Sequence, residues 1–330
     1  MKVGVLCGGK SYEHEISIVT ALDVMRFIDD GYLLYLNKNN DVFYYKNPNN
    51  ILKKNGKAYK DIKTLYKSLK LDLIILCVHG RGMEDGTAQV ILDYYDIPYI
   101  GTSLEGSYIC MDKELTDLKL IKSNLPSVRK NTYHPTDDIK IDNYPKIVKP
   151  ARSGSSLGIT VIRNDEELKT ALEKVMLYDD KIIIEDYIEH HFEYSVAVFK
   201  TYEIKCSKIE IIKSNNDIFD YNEKYINRKK GVKREFLKDV RLINEIEEIA
   251  KEIYKNFELS GIIRIDFLAD NKNLYVNEIN TIPGSLANYM FDDFKSILTD
   301  LMNNKMYETK TKIRENTSIN KEIVLLNTKK

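Results

Sequence analysis

Two strand-like runs near the C-terminal third constrain this chain more than any other feature. Arg264-Ile265-Asp266-Phe267 is followed, after the polar run Asp270-Asn271-Lys272-Asn273, by Asn277-Glu278-Ile279-Asn280-Thr281-Ile282-Pro283-Gly284. Val, Ile, Phe, Leu and Tyr dominate both flanks, which reads as a β-hairpin turning at Asn271 to Asn273. That register sets Asp266 opposite Glu278 and Arg264 opposite Asn280. Strand side chains alternate, so these four polar groups share one face while Ile265, Phe267 and Ile279 point to the other. Two carboxylates and an amide oxygen together form a hard-oxygen cage suited to Mg²⁺ and to the phosphates it carries. The competing reading is a hairpin with one solvated face, and the rest of the chain must decide between them.

At 330 residues the chain has material for about two or three ordinary domains. Its 50 basic and 50 acidic residues balance, so no global field draws it to nucleic acid or an anionic membrane. Cys7, Cys77, Cys110 and Cys206 are far apart and sit mostly in apolar runs. With no CxxC pair or Cys/His cluster, they read as reduced core thiols and not as disulfides or a zinc site. Neither a signal-peptide core nor a long apolar span is evident, so a soluble cytoplasmic protein is expected.

The first hundred residues alternate strand and helix signals. Lys2 to Cys7 reads as a strand, Gly8-Gly9 as a turn, and Ile16 to Ile28 as a helix. Leu71 to Val78 is a near-continuous apolar run of the kind buried on both faces of a parallel sheet. The turn His79-Gly80-Arg81-Gly82, a helix over Thr87–Tyr95 and a strand over Pro98–Ile100 complete a doubly wound α/β pattern. Its loops Gly8–Glu15 and His79–Asp85 are placed to line a crevice at the carboxyl edge of the sheet.

A second segment offers a helix over Asp112–Ser123 and strands over Lys146–Lys149, Ile159–Ile162 and Lys181–Ile184, with a helix over Asp165–Met176 between the last two. Strands over Glu193–Phe199 and Glu203–Ile212 follow, then a helix over Asn244–Phe257 and the hairpin. The polar stretch Lys213–Arg234 between them has the length of a functional lid. The tail from Asn303 is polar and weakly patterned, with partial order and no chemistry expected.

Lys149-Pro150-Ala151-Arg152-Ser153-Gly154-Ser155-Ser156-Leu157-Gly158 sets a lysine at a strand end before a small-residue loop, where backbone N–H groups can approach phosphate oxygens. No Gly-Lys-Ser/Thr follows, so this is not a Walker A loop. A mobile surface turn is the plain alternative. Met111-Asp112-Lys113 adds a lysine at a helix start. Ile184-Glu185-Asp186-Tyr187-Ile188 ends a strand with a carboxylate and a backbone edge suited to ribose and adenine.

In order and spacing, Lys113, Lys149, the Gly/Ser loop, Glu185, Arg264-Ile265-Asp266 and Glu278-Ile279-Asn280 resemble the ATP-grasp ligases, and more narrowly the D-alanine–D-alanine ligase family. Gly8-Gly9-Lys10-Ser11-Tyr12-Glu13-His14-Glu15-Ile16-Ser17 resembles the family's N-terminal signature, and His79-Gly80-Arg81-Gly82-Met83-Glu84-Asp85-Gly86 its HG-x-x-x-EDG segment. Ile97-Pro98-Tyr99-Ile100-Gly101-Thr102-Ser103 and Asp220-Tyr221-Asn222-Glu223-Lys224-Tyr225 match as well, so the resemblance spans residues 2 to about 300.

The resemblance implies a doubly wound N-terminal domain over residues 1–110, then two ATP-grasp subdomains over 111–188 and 189–330, with a lid near 213–234. It implies ATP-dependent joining of two D-alanines through an acyl phosphate, for peptidoglycan precursor synthesis, in a homodimer. ATP phosphates would meet Lys113, Lys149 and Ser155, and its adenosine Glu185, Ile188 and Glu193, with Lys224 reaching ATP from the lid. Asp266, Glu278 and Asn280 would hold two Mg²⁺ ions, with Mn²⁺ able to substitute. Glu13 would pair with the first ammonium near His79. Arg264 and the Gly284 N–H would stabilise the tetrahedral intermediate, and Ser155, Tyr225 and Glu13 would orient the attacking amine.

One position departs from the family. About five residues past Gly284 the family has a small hydroxyl residue that binds the second carboxylate, whereas this chain has Tyr289. Either Tyr289 or Ser285 would take that role, and the second substrate could be D-serine or D-lactate. The Lys224-Tyr225 pair favours an amine. A non-catalytic relative would have lost a metal ligand, a lysine or Arg264, and all are present. A nicotinamide-dependent dehydrogenase fails because no GxGxxG follows the first strand.

Overall fold

The computed structural model describes residues 1–48, 51, 57–189, 192–212, 234–270 and 272–312. Strands β1 (Val3–Gly8) and β5 (Leu73–Leu76), buried along their whole length, pair in parallel at the centre of the first sheet. β2 (Gly31–Leu36) flanks β1 in parallel, and β6 (Tyr99–Ile100) flanks β5. Two strands the sequence reading passed over, β3 (Val42–Tyr45) and β4 (Lys57–Tyr59), extend this sheet antiparallel, giving the order β4-β3-β2-β1-β5-β6. The parallel sheet therefore has an antiparallel edge, as doubly wound sheets often do.

Helix α1 (His14–Met25) starts two residues before the expected Ile16, the Glu13 carbonyl accepting the Ser17 N–H at 3.0 Å. β1 ends at Gly8, whose φ is +90°, and a Cβ there would lie 1.9 Å from the Leu36 carbonyl oxygen. Only glycine lets the chain leave β1 this close to β2. Helices α2 (Ile62–Leu69) and α3 (Thr87–Tyr94) accompany the sheet.

α4 (Leu104–Met111), unmarked in the sequence reading, precedes α5 (Lys113–Lys122). Asp112 separates them with extended backbone, and its carboxylate accepts from the N–H groups of Glu114 and Leu115 at 3.0 and 3.3 Å, an N-cap.

The second sheet is antiparallel, in the order β7-β10-β8-β9, from β7 (Lys130–Tyr133), β8 (Lys146–Pro150), β9 (Thr160–Ile162) and β10 (Ile182–Asp186). α6 (Asp165–Val175) buries Leu168, Ala171 and Val175 against Val148, Ile162, Ile182 and Ile184. Alternation turns Lys149 and Glu185 to the opposite face.

The third sheet runs β14-β13-β11-β15-β16, from β11 (Phe192–Lys200), β13 (Glu210–Ile212), β14 (Glu235–Phe236), β15 (Ile262–Ala269) and β16 (Leu274–Asn280). The single strand expected over Glu203–Ile212 is two, β12 (Ile204–Cys206) and β13. Ser207 breaks it, its hydroxyl accepting the Ala197 N–H at 2.9 Å.

Helix α7 (Val240–Asn256) buries Ile246, Ala250, Ile253 and Tyr254 against Val196, Val198, Ile263, Ile265 and Phe267. On the other face, Ala197, Phe199 and Ile262 join the core of the first sheet, with Ile282, Leu286 and α8 (Phe294–Lys312). The tail from Asn303 is thus helical as far as Lys312. All four cysteines are free thiols, three of them buried, as expected, and burial raises that of Cys206 to about 12.

Candidate active site

The hairpin register holds where it matters. Arg264 faces Asn280, Ile265 faces Ile279 and Asp266 faces Glu278, after which a bulge shifts Phe267 opposite Val276. Ile265, Phe267 and Ile279 are buried on the α7 side, as the alternation requires. β11 extends the polar face, because Ser195 faces Asp266 on one side and Glu210 of β13 on the other. Glu210, Ser195, Asp266 and Glu278 therefore form one row across four strands.

Arg264 forks onto Asp266, with Nε and one terminal nitrogen each 2.7 Å from a carboxylate oxygen. The Asn280 amide donates to Asp266 at 3.0 Å and the Ser195 hydroxyl at 2.6 Å. Lys113 Nζ lies 3.4 Å from Glu278 and donates to the Ser153 carbonyl at 2.7 Å. Each opposed carboxylate thus has its own cation, which offsets the repulsion between them. Among the described residues no three His, Cys, Asp or Glu side chains assemble for a metal, so a metal here relies on the Asn280 amide oxygen beside the two carboxylates. That hard-oxygen set suits Mg²⁺.

On the second sheet Lys149 Nζ donates to Glu185 at 2.6 Å, both side chains almost wholly buried. Ile188 follows β10, half-buried, and Glu193 shares the polar face with Ser195, two residues along β11. Beyond Lys149 the loop turns through Ser155 and Ser156, both left-handed with φ of 53° and 57°. Such backbone costs about 1–3 kcal/mol per residue and persists where the surroundings fix it.

One partner that fixes Ser155 is Glu13, whose carboxylate accepts the Ser155 hydroxyl across 142 residues. Glu13 is buried in the first sheet's loop, where lost hydration pushes its carboxyl above the usual range; His79 and Ser155 pull the other way. The Gly80 Cα passes so close that a Cβ there would stand 2.7 Å from Glu13 Oε2. His79 contacts Thr20 Oγ1 through Nε2 at 2.8 Å, and its Nδ1 lies 3.7 Å from Glu84. Glu84 accepts the N–H groups of Gly80 at 3.1 Å and Ile282 at 3.0 Å, joining the first and third sheets.

Past Ile282 the chain enters a 3-10 turn, Gly284–Met290, in which Ser285, Leu286 and Ala287 are all left-handed. This bend directs the Ser285 N–H to Thr20 Oγ1 at 3.1 Å and its hydroxyl to Asp23 at 2.7 Å. Tyr289 lies beneath the Arg234 guanidinium, 3.3 Å from ring centroid to its carbon.

Family models decide the relationship. The D-ala D-ala ligase N-terminus model matches residues 2–102, and the C-terminus model matches residues 121–296. The chain belongs to the D-alanine–D-alanine ligase family. A D-alanine–D-alanine ligase from a Nitratiruptor species is 36% identical over 320 residues, covering 91% of this chain and 93% of the relative. The crystal structure of the Helicobacter pylori D-alanine–D-alanine ligase is 31% identical, with a TM-score of 0.78 over 92% of this chain and 98% of that one. The VanG D-Ala:D-Ser ligase of Enterococcus faecalis is 26% identical, with a TM-score of 0.75 over 93% and 98%.

Within this D-alanine–D-alanine ligase fold, contacts join Ser155 to Glu13, Lys113 to Glu278, and Arg264 and Asn280 to Asp266. His79 lies beside Glu13, Gly284 opens the turn after β16, and Lys149 is paired with Glu185. Lys224 and Tyr225 lie outside the described residues. Sequence reasoning missed Ser195, Thr20 and Glu84 as participants. Ser195 could be found only from the pairing of β11 with β15. Glu84 stood in a quoted motif, yet its bond to Ile282 spans 198 residues. Among the described residues no helix is long and apolar enough to cross a membrane.

Proposed function

We propose that this chain joins two D-alanines at the expense of ATP, through a D-alanyl phosphate, supplying D-alanyl-D-alanine for peptidoglycan precursor synthesis. One observation carries the reading: the Glu13–Ser155 contact couples a buried carboxylate suited to an ammonium group with the left-handed loop suited to phosphate. Amine and phosphate recognition in one contact is what a carboxylate–amine ligase needs.

Lys113, Lys149 and the Ser155 loop would hold the ATP phosphates, while Glu185, the Ile188 backbone and Glu193 hold adenosine. Asp266, Glu278 and Asn280 fit two Mg²⁺ ions or Mn²⁺, which when bound neutralise the repulsion between a carboxylate and a triphosphate. Glu13, beside His79, would fix the first ammonium. Arg264 and the Gly284 N–H would meet the oxyanion of the tetrahedral intermediate, and removing one such donor costs about 3–4 kcal/mol of transition-state stabilisation. Ser155 and Tyr225 would align the attacking amine with Glu13. Lys224 would reach ATP as the 213–234 segment closes, keeping water from the acyl phosphate.

For the second subsite, the Ser285 hydroxyl is committed to Asp23. That favours Tyr289 as the residue standing where the family has a small hydroxyl. We read 1–110, 111–188 and 189–330 as the working units, in a cytoplasmic homodimer.

The test is ATP turnover with Mg²⁺ and D-alanine, products read by mass spectrometry, beside single additions of D-serine, D-lactate and L-alanine. D-alanyl-D-alanine is expected to dominate. A mixed product in its place would reassign the second substrate, and ATP binding with no product from any pair would refute the ligase reading.

A further inference from the structure

Arg234 has no role in the scheme above, yet it stands on the catalytic face. Its guanidinium pairs with Glu210, which is buried and continues the row Ser195, Asp266, Glu278 across the third sheet. With strands about 4.8 Å apart, Glu210 lies two strands, roughly 10 Å, from Asp266. The other side of the guanidinium is stacked on the Tyr289 ring at 3.3 Å. Among the described residues its partners are these two alone, and only one terminal nitrogen is engaged in a hydrogen bond. The side chain is about a quarter exposed, so it is both held and reachable.

An arginine fixed by a buried carboxylate and an aromatic plate is pre-organised. Little rotamer entropy remains to lose when its remaining N–H groups meet an anion, and their planar fork matches a carboxylate. A small neutral hydroxyl is missing from this subsite and Ser285 is turned to Asp23. A fixed cation has instead been brought to Tyr289.

We propose that Arg234 is a specificity-determining residue that binds the carboxylate of the second, attacking amino acid, with Glu210 and Tyr289 holding its guanidinium in place. The proposal rests on the ligase reading and assigns the second subsite to a substrate bearing an anionic carboxyl group.

D-Alaninamide tests it. Lacking a carboxyl group, the amide cannot be phosphorylated and can serve only as the attacking amine. D-Alanine and D-alaninamide are therefore made to compete, and the ratio of D-alanyl-D-alanine to D-alanyl-D-alaninamide is read by mass spectrometry. The parent should favour D-alanine strongly. Arg234→Met, which keeps the apolar stem, should lower that preference tenfold or more, equivalent to about 1.4 kcal/mol. Arg234→Lys should fall between. If Arg234→Met or Arg234→Lys makes product at the parent ratio, whatever its total rate, the proposal is overturned. Should Arg234→Met fail to fold, the Lys variant decides alone. A parent chain that makes neither product refutes the ligase reading instead.

Discussion

Burial raises the Glu13 carboxyl pKa, and the effect of His79 and the Ser155 hydroxyl only partly counters it. A carboxyl raised in the folded state holds a proton there that the unfolded chain releases. Its contribution to stability is therefore full below the ordinary value of about 4.3 and is lost as pH rises through the folded value. An ionised Glu13 is nevertheless what an ammonium group needs, so binding and stability conflict at this residue. Glu13→Gln keeps an acceptor for Ser155 and removes the charge. It is expected to unfold at higher temperature than the parent near pH 8 and to lose that advantage toward pH ~4, while the D-alanine KM rises. Parallel melting curves at both pH values would dismiss the conflict. Lys149 and Glu185 raise the opposite issue, since each is buried with the other. Glu185→Ala leaves a buried lysine unpaired and is expected to cost about 3–5 kcal/mol, read from urea unfolding. Glu185→Gln, which still accepts a hydrogen bond, should cost less, and both should raise the KM for ATP.

The hairpin was legible because alternation and a short polar turn suffice to set its register, and the pairs from Arg264 to Asp266 stand as read. Its bulge was not, since the extra residue leaves no mark on composition. Nor was the continuation of the polar row through β11 and β13, whose ladder joins residues as distant as Ser195 and Asp266, 71 positions apart. The antiparallel edge β3–β4 escaped notice because β3, though apolar, is only half-buried, and β4 is a short, mostly exposed Lys-Ala-Tyr that carries no apolar run. Helix α5 was read from Asp112, a local cap, whereas α4, although capped by Ser103, buries the small residues Gly106, Ser107 and Cys110, which draw no apolar stripe in the sequence. Local chemistry is visible in sequence and long-range pairing is not. The bulge begins at Phe267, which locks the hairpin onto α7 from the face opposite Asp266. Phe267→Ala is expected to cost about 3–5 kcal/mol in denaturant unfolding. Because the same strand carries Asp266, turnover should fall at temperatures where the variant remains folded. Unchanged turnover there would mean the polar face does not depend on its backing.

No single sheet contains the site. Glu84 ties the first sheet to Ile282, Ser285 reaches back 262 residues to Asp23, and Ser155 meets Glu13. Asp179 adds a further tie between the first two sheets, accepting from Arg152 at 2.6 and 3.2 Å and from Arg81 of the His79 loop at 3.3 Å. Burial alone would raise its pKa, but the Arg152 hydrogen bonds outweigh that and hold the carboxyl below its usual value. A depressed carboxyl contributes stability above the unfolded value of about 3.9, and the contribution drains away as pH falls through the folded value. Asp179→Asn keeps the shape and one acceptor but loses the charge facing two arginines. It is expected to lose about 1–3 kcal/mol at neutral pH. The gap to the parent should close as pH falls through the depressed folded value, where the parent carboxyl takes up its proton. Since Arg81 stands two residues from His79, loosening this tie should also raise the KM for the first D-alanine more than that for ATP. Equal rises would mean that Asp179 steadies the whole molecule without favouring the crevice, and a pH-independent gap would mean that its charge contributes nothing.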